Sequence, residues 1–137
     1  MKKNIFLGLM IFAVISMSSC LTFTSAAFNE VHEGNLLEQP LDQQKLQTAI
    51  KTTLLKFNWQ ITEIGEGYYN ARFSKSNDLI LADIKIVYDD ESFKIIYISS
   101  KNLDYNERRH TIHRNYPRWI NNLDKSISVS YIQQANS

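Results

Sequence analysis

Hydrophobic residues along this chain change their spacing from one stretch to the next, and each change predicts an element. Residues 5–17 are apolar on every side, interrupted only by Gly8 and Ser16. Between 21 and 40 no period holds, although Phe28, Val31 and the Leu36-Leu37 pair are apolar positions able to dock on a domain. From 42 to 57, Leu46, Ala49, Ile50, Leu54 and Phe57 recur at helical spacing, which predicts a helix with one buried stripe. Pro40 and Asp42 stand where a helix start places them, and Asn58 is expected to end it. The period then falls to two. Strands are predicted at 59–64, 68–74, 79–88 and 93–99, with turns at Gly65-Glu66-Gly67, at 75–78 and at 89–92. In the third, Ala82, Ile84, Ile86 and Tyr88 alternate with Asp83 and Lys85, the mark of a half-exposed sheet. Such short turns join antiparallel neighbours, so the strands form a meander.

Residues 100–111 are polar and irregular. A second helix is predicted from Asn115 as N-cap, with Tyr116 and Pro117 in the first turn, where a missing N–H costs nothing. Tyr116, Trp119, Ile120, Leu123 and Ile127 form its stripe, and Trp119 is expected to be buried against the sheet. From Ser128 the chain is polar and is expected to fray. The fold class is therefore α+β: helix, four-stranded antiparallel meander, C-terminal helix, with both helices on one face of the sheet.

The N-terminal run changes the picture. Lys2 and Lys3 precede an apolar stretch too short for a membrane-spanning helix, which needs about 20 residues, so a signal peptide is predicted. Met17-Ser18-Ser19-Cys20 resembles the lipobox of bacterial lipoproteins, with Met where Leu is more usual. That resemblance implies cleavage before Cys20, a thioether-linked diacylglycerol on its sulfur and an N-acyl chain. A rival small-x-small site, Ser25-Ala26-Ala27 before Phe28, suits ordinary signal peptidase and predicts a soluble secreted chain. The apolar run ends close to Cys20, which favours the lipobox. The expected organisation is a signal peptide at 1–19, a lipid-anchored tether at 20–40, an α+β domain at 41–128 and a polar tail at 129–137. Leu21 after the cysteine, rather than Asp, points to the periplasmic face of the outer membrane.

Composition narrows the partners. The 137 residues make one domain, with 15 basic and 14 acidic side chains. Without Lys2 and Lys3 the balance is 13 against 14, a net charge of −1, which argues against a nucleic-acid partner. A single cysteine excludes an internal disulfide, so the fold is held by its core.

Asn58-Trp59, Asn70-Ala71-Arg72, Ser100-Lys101-Asn102-Leu103-Asp104-Tyr105 and the run from Ile112 to Leu123 resemble a family of small bacterial lipoproteins of unassigned function. The likeness covers about 41–127, and Pro117 stands where that pattern has Asn. It implies the fold and an envelope location, and it brings no catalytic residues.

Among residues able to carry chemistry, His110 and His113 lie three apart beside Asp104 and Glu107, a spacing compatible with a metal site or a small hydrolase. Solvated loop histidines are the simpler reading, and no metal or cofactor is assigned. Ser99 and Ser100 lack a Gly-x-Ser-x-Gly elbow and, with Asn102, are expected to satisfy groups where the chain leaves the sheet. Arg72 is expected to pair with Asp83 across neighbouring strands. Arg108, Arg109, Arg114 and Arg118, with His110, form the densest basic patch, interleaved with Tyr105, Tyr116 and Trp119. In an exported chain the matching anions are envelope components. The expectation is a non-enzymatic envelope lipoprotein held by acylated Cys20, an interaction or structural module for an envelope protein or anionic component. The alternative is a small hydrolase or metal-dependent enzyme using His110 and His113.

Overall fold

The computed structural model describes residues 24–36 and 39–137; the signal-peptide run and Cys20 lie outside them. The class is α+β. In chain order the elements are β1 (Ser25–Ala27), β2 (Val31–Glu33), α1 (Gln43–Lys56), β3 (Trp59–Gly65), β4 (Tyr68–Lys75), β5 (Ile80–Tyr88), β6 (Phe93–Lys101), β7 (Thr111–His113) and α2 (Asn115–Ala135). No helix among the described residues is long and apolar enough to cross a membrane.

The meander β3–β4–β5–β6 forms where the alternation predicts it, all neighbours antiparallel. Its register places Ala71 opposite Ile84, Tyr69 opposite Ile86, and Ile86 opposite Ile95, so one face is a continuous apolar surface. Leu46, Ala49, Ile50 and Leu54 of α1 and Ile120, Leu123 and Ile127 of α2 join that face in a single core. The Asp42 carboxylate accepts from the amides of Gln44 and Lys45, capping α1 as its position predicts. Asn58 takes a left-handed φ of 59° just past the C-cap, a conformation asparagine tolerates, and turns the chain into β3.

Five expectations are corrected. The sheet has five strands, ordered β2-β6-β5-β4-β3, with a separate two-stranded sheet of β1 and β7. Residues expected to be a tether are built into the fold: β2 pairs along the outer edge of β6, and β1 pairs with β7. Leu41 is buried and bonds Asp90, while Gly34 lies so close to the Phe93 ring that a Cβ there would collide with it. These strands are three residues long, too short for alternation to register, and they exist because β6 and β7 offer unpaired backbone groups.

The expected polar tail is also helix, because α2 runs to Ala135. Tyr131 extends the stripe by one further step from Ile127, is buried, and accepts a hydrogen bond from the Asp42 amide at 2.9 Å. Gln134 reaches the Lys45 carbonyl, so the last turns of α2 close over the start of α1. Finally, Asn115 lies inside α2 rather than capping it. Arg114 occupies the cap position without a side-chain bond, and the Asn115 amide donates to Nδ1 of His113. Trp119 is half-buried at the rim, 4.6 Å from the Phe73 ring, while Ile120 takes the buried place.

Replacing Tyr131 separates packing from hydrogen bonding. Tyr131→Ala should cost about 3–5 kcal/mol by opening a cavity. Tyr131→Phe should cost only about 0.5–1.5 kcal/mol, the bond to Asp42. Urea denaturation reads both, and an unchanged midpoint for Tyr131→Ala would mean that the helix ends near Ser128.

Candidate functional site

The segment between β6 and α2 carries the predicted basic patch. Leu103 is buried and its carbonyl accepts from the His113 amide at 2.7 Å, which anchors the base of the loop. Asn106 and Thr111 bond each other through both backbone groups, and the Asn106 side chain accepts from the Arg109 amide. The tip is thereby a tight turn, with Asp104 and His110 at left-handed φ values of 51° and 49°. Arg108, Arg109, His110, Arg114 and Arg118 are all exposed. Arg114 and Arg118 lie four residues apart at the start of α2 and share one side of it.

Beneath this loop lies an aromatic cluster of Phe28, Tyr97, Tyr105 and Tyr116. Phe28 meets Tyr97 edge-on at 4.8 Å and Tyr105 at 4.9 Å, and Tyr97 meets Tyr116 at 5.5 Å. Burial, with a smaller contribution from Tyr97, pushes the Tyr116 phenol well above its ordinary value, so it remains a neutral core group. Tyr105 stays 41% exposed beside the arginines. The cluster depends on the N-terminal segment: Phe28 donates its amide to the His110 carbonyl, and the Arg114 amide donates to the Thr24 carbonyl, both at 2.8 Å.

The histidines of the enzymatic alternative do not meet in a cleft with a carboxylate. His110 sits exposed on the turn, whereas His113 is half-buried in β7 and engaged with the Asn115 amide. Among the described residues no group of three or more His, Cys, Asp or Glu is placed to hold a metal ion. Ser99 donates to Asp83, and Ser100 shares a hydrogen bond with the Tyr97 hydroxyl. Asn102 donates to the Leu79 carbonyl, satisfying backbone at the end of the sheet.

Arg72 pairs with Asp83 as the strand neighbours predict, Nε to Oδ1 at 2.7 Å and Nη2 to Oδ2 at 3.0 Å. This pair centres the sheet face opposite the helices. Next to it Glu63 accepts from the Tyr68 hydroxyl and from Asn70 Nδ2, and the Lys85 ammonium lies over the Tyr68 ring at 4.2 Å. Register shifts at Thr62 and Ile98 interrupt the pairing on either side. Arg72, Asp83, Asn70 and Lys85, with Thr62 and Ile98, line an open groove of about 350 Å³. The Arg72 hydrogen bond holds the Asp83 carboxyl below its ordinary range despite partial burial, with the Ser99 bond and the arginine charge adding to it.

Sequence reasoning missed the His32–Asp124 contact. Asp124 is only 2% exposed, on the buried side of α2. A carboxylate has no proton to give, so His32 Nε2 donates to it at 2.9 Å, and the Asn35 amide donates at 3.0 Å. A second bond comes from the Asn35 side chain. His32 also borders a cavity of about 120 Å³, together with Phe28, Asn29, Tyr116 and Asn121. The role of the His32–Asp124 pair is to bind β2 to α2. The signal was present, because position 124 follows Leu123 and lies four residues after Ile120, inside the apolar stripe.

No family model, curated protein or solved structure matches this chain.

Asp124→Ala should strip the acceptor from His32 and Asn35 and cost about 1–3 kcal/mol in urea denaturation, while Asp124→Asn, which keeps one acceptor oxygen, should cost less. Acid should act through Asp83. Its folded pKa is lowered, so the pair stabilises fully above the unfolded carboxylate value of about 3.9 and the contribution fades as pH falls through the folded value. Stability measured between about pH 5 and pH 2 should therefore fall less steeply for Asp83→Asn than for the parent chain. Parallel profiles would show that the pair does not titrate with folding.

Proposed function

We propose that this chain is an exported lipoprotein, held in the bacterial envelope by acylated Cys20, whose α+β domain is a non-enzymatic interaction module. The observation that carries this reading is the lipobox-like Met17-Ser18-Ser19-Cys20 directly after the apolar run. The start of the fold supports it over the rival cleavage site. Processing after Ala27 would remove β1, which pairs with β7, together with the Thr24 carbonyl that receives the Arg114 amide. Cleavage before Cys20 leaves all of these in place. Leu21 directs the mature chain to the periplasmic face of the outer membrane.

The non-enzymatic part is supported by the separation of the candidate catalytic groups, with His110 exposed on the loop turn and the others engaged elsewhere. Ser99 and Ser100 are bonded to Asp83 and Tyr97, and His113 is bonded to the helix start. The surface left for an envelope protein is the polar face of the sheet around Arg72, Asp83 and Lys85, which the helices leave uncovered.

Intact mass of the protein extracted from membranes tests the anchor. The expected species begins at Cys20 and carries acyl mass, and Cys20→Ala should leave either an uncleaved precursor or a released domain. A chain beginning at Phe28 without acyl mass would overturn the proposal.

A further inference from the structure

We infer that the loop and helix start bearing Arg108, Arg109, Arg114 and Arg118 form a membrane-facing surface that rests on anionic phospholipid headgroups. The inference depends on acylation at Cys20. Its first ground is chain length. Thr24 follows Cys20 by four residues, and an extended chain covers at most about 3.6 Å per residue, so the anchor lies within roughly 14 Å of Thr24. Thr24 is itself fixed, because its carbonyl accepts the Arg114 amide and the following strand pairs with β7. A long tether would let the domain turn freely above the bilayer. This short, docked one holds the Arg114 end of the domain next to the lipid that carries Cys20.

The second ground is charge. Around this loop four arginines face three carboxylates, Asp104, Glu107 and Glu30, the last close enough to act on the Tyr105 phenol, giving +1. The mature chain is −1 in total, with 13 basic and 14 acidic residues, so the remainder carries nine against eleven, or −2. An anionic surface therefore attracts this end and repels the rest. Exposed charges act over about 8 Å at physiological ionic strength, a range that the short anchor makes reachable. The third ground is chemical. Tyr105, 41% exposed and braced on Phe28 and Tyr97, belongs to the same loop as Arg108 and Arg109, and tyrosine favours the headgroup level of a bilayer.

The test uses the acylated full-length mature protein in vesicles of neutral phosphatidylcholine, with or without a third of anionic phospholipid. An arginine-selective dicarbonyl reagent is applied and modification is read peptide by peptide. Arg108, Arg109 and Arg118 should react several-fold more slowly on anionic vesicles, and the difference should vanish near 1 M salt, where screening shortens to about 3 Å. Arg72, on the open sheet face, should react alike on both. Arg108→Gln with Arg109→Gln should weaken the surface contact roughly thirtyfold and restore labelling at Arg118, with an unchanged urea midpoint because both side chains are exposed. Equal labelling of an acylated chain on both vesicles overturns the inference and leaves the lipoprotein reading intact. Protection on neutral vesicles by inorganic phosphate alone overturns it in favour of a soluble-anion site. A purified chain without acyl mass overturns both readings together.

Discussion

The fold depends on covering one apolar sheet face without a disulfide. Ala71, Ile84, Ile86 and Ile95 share that face, and nothing in the meander itself can shield them. Burial of such side chains is worth about 1.5–3 kcal/mol each, the dominant favourable contribution in a chain with one cysteine. The two helices supply the cover and must also pack against each other. Tyr131 shows how far this extends: the last turns of α2 remain ordered because they lie over the start of α1.

A buried carboxylate fixes how the N-terminal segment meets this core. Asp124 lies on the packed side of α2, where an unpaired charge would be costly. His32 and Asn35 provide the donors, so β2 is tied to α2 while its backbone extends β6. One short segment therefore closes a sheet edge and satisfies a core charge. Just before it, Phe28 fills the aromatic cluster under the arginine loop, which links the position of that loop to the same segment.

Two polar surfaces result, and they differ in kind. On the open sheet face, Arg72 is paired with Asp83, and Glu63 accepts from the neutral Tyr68 and Asn70 side chains. At the β7 end the arginines are exposed, and their charge is available to an external anion. In the proposed lipoprotein, the second surface lies beside the membrane, and the first is left for a partner.

Read alone, the sequence determined the elements whose pattern is long enough to repeat. The α1 stripe, the alternation of β5, the turns of the meander and the Arg72–Asp83 pair were all legible, because each depends on neighbours within one element or one hairpin. It also marked Cys20 and the arginine cluster as local motifs. The three-residue strands β1 and β2 were not legible, since their pairing is decided by open edges more than 60 residues away. Nor was the choice of Ile120 over Trp119 for the core, which turns on the rotation of α2 against the sheet. Asp124 was visible as a charge in an apolar stripe, but its partners were not. Its donors come from outside its own helix, and only the folded chain brings His32 and Asn35 there.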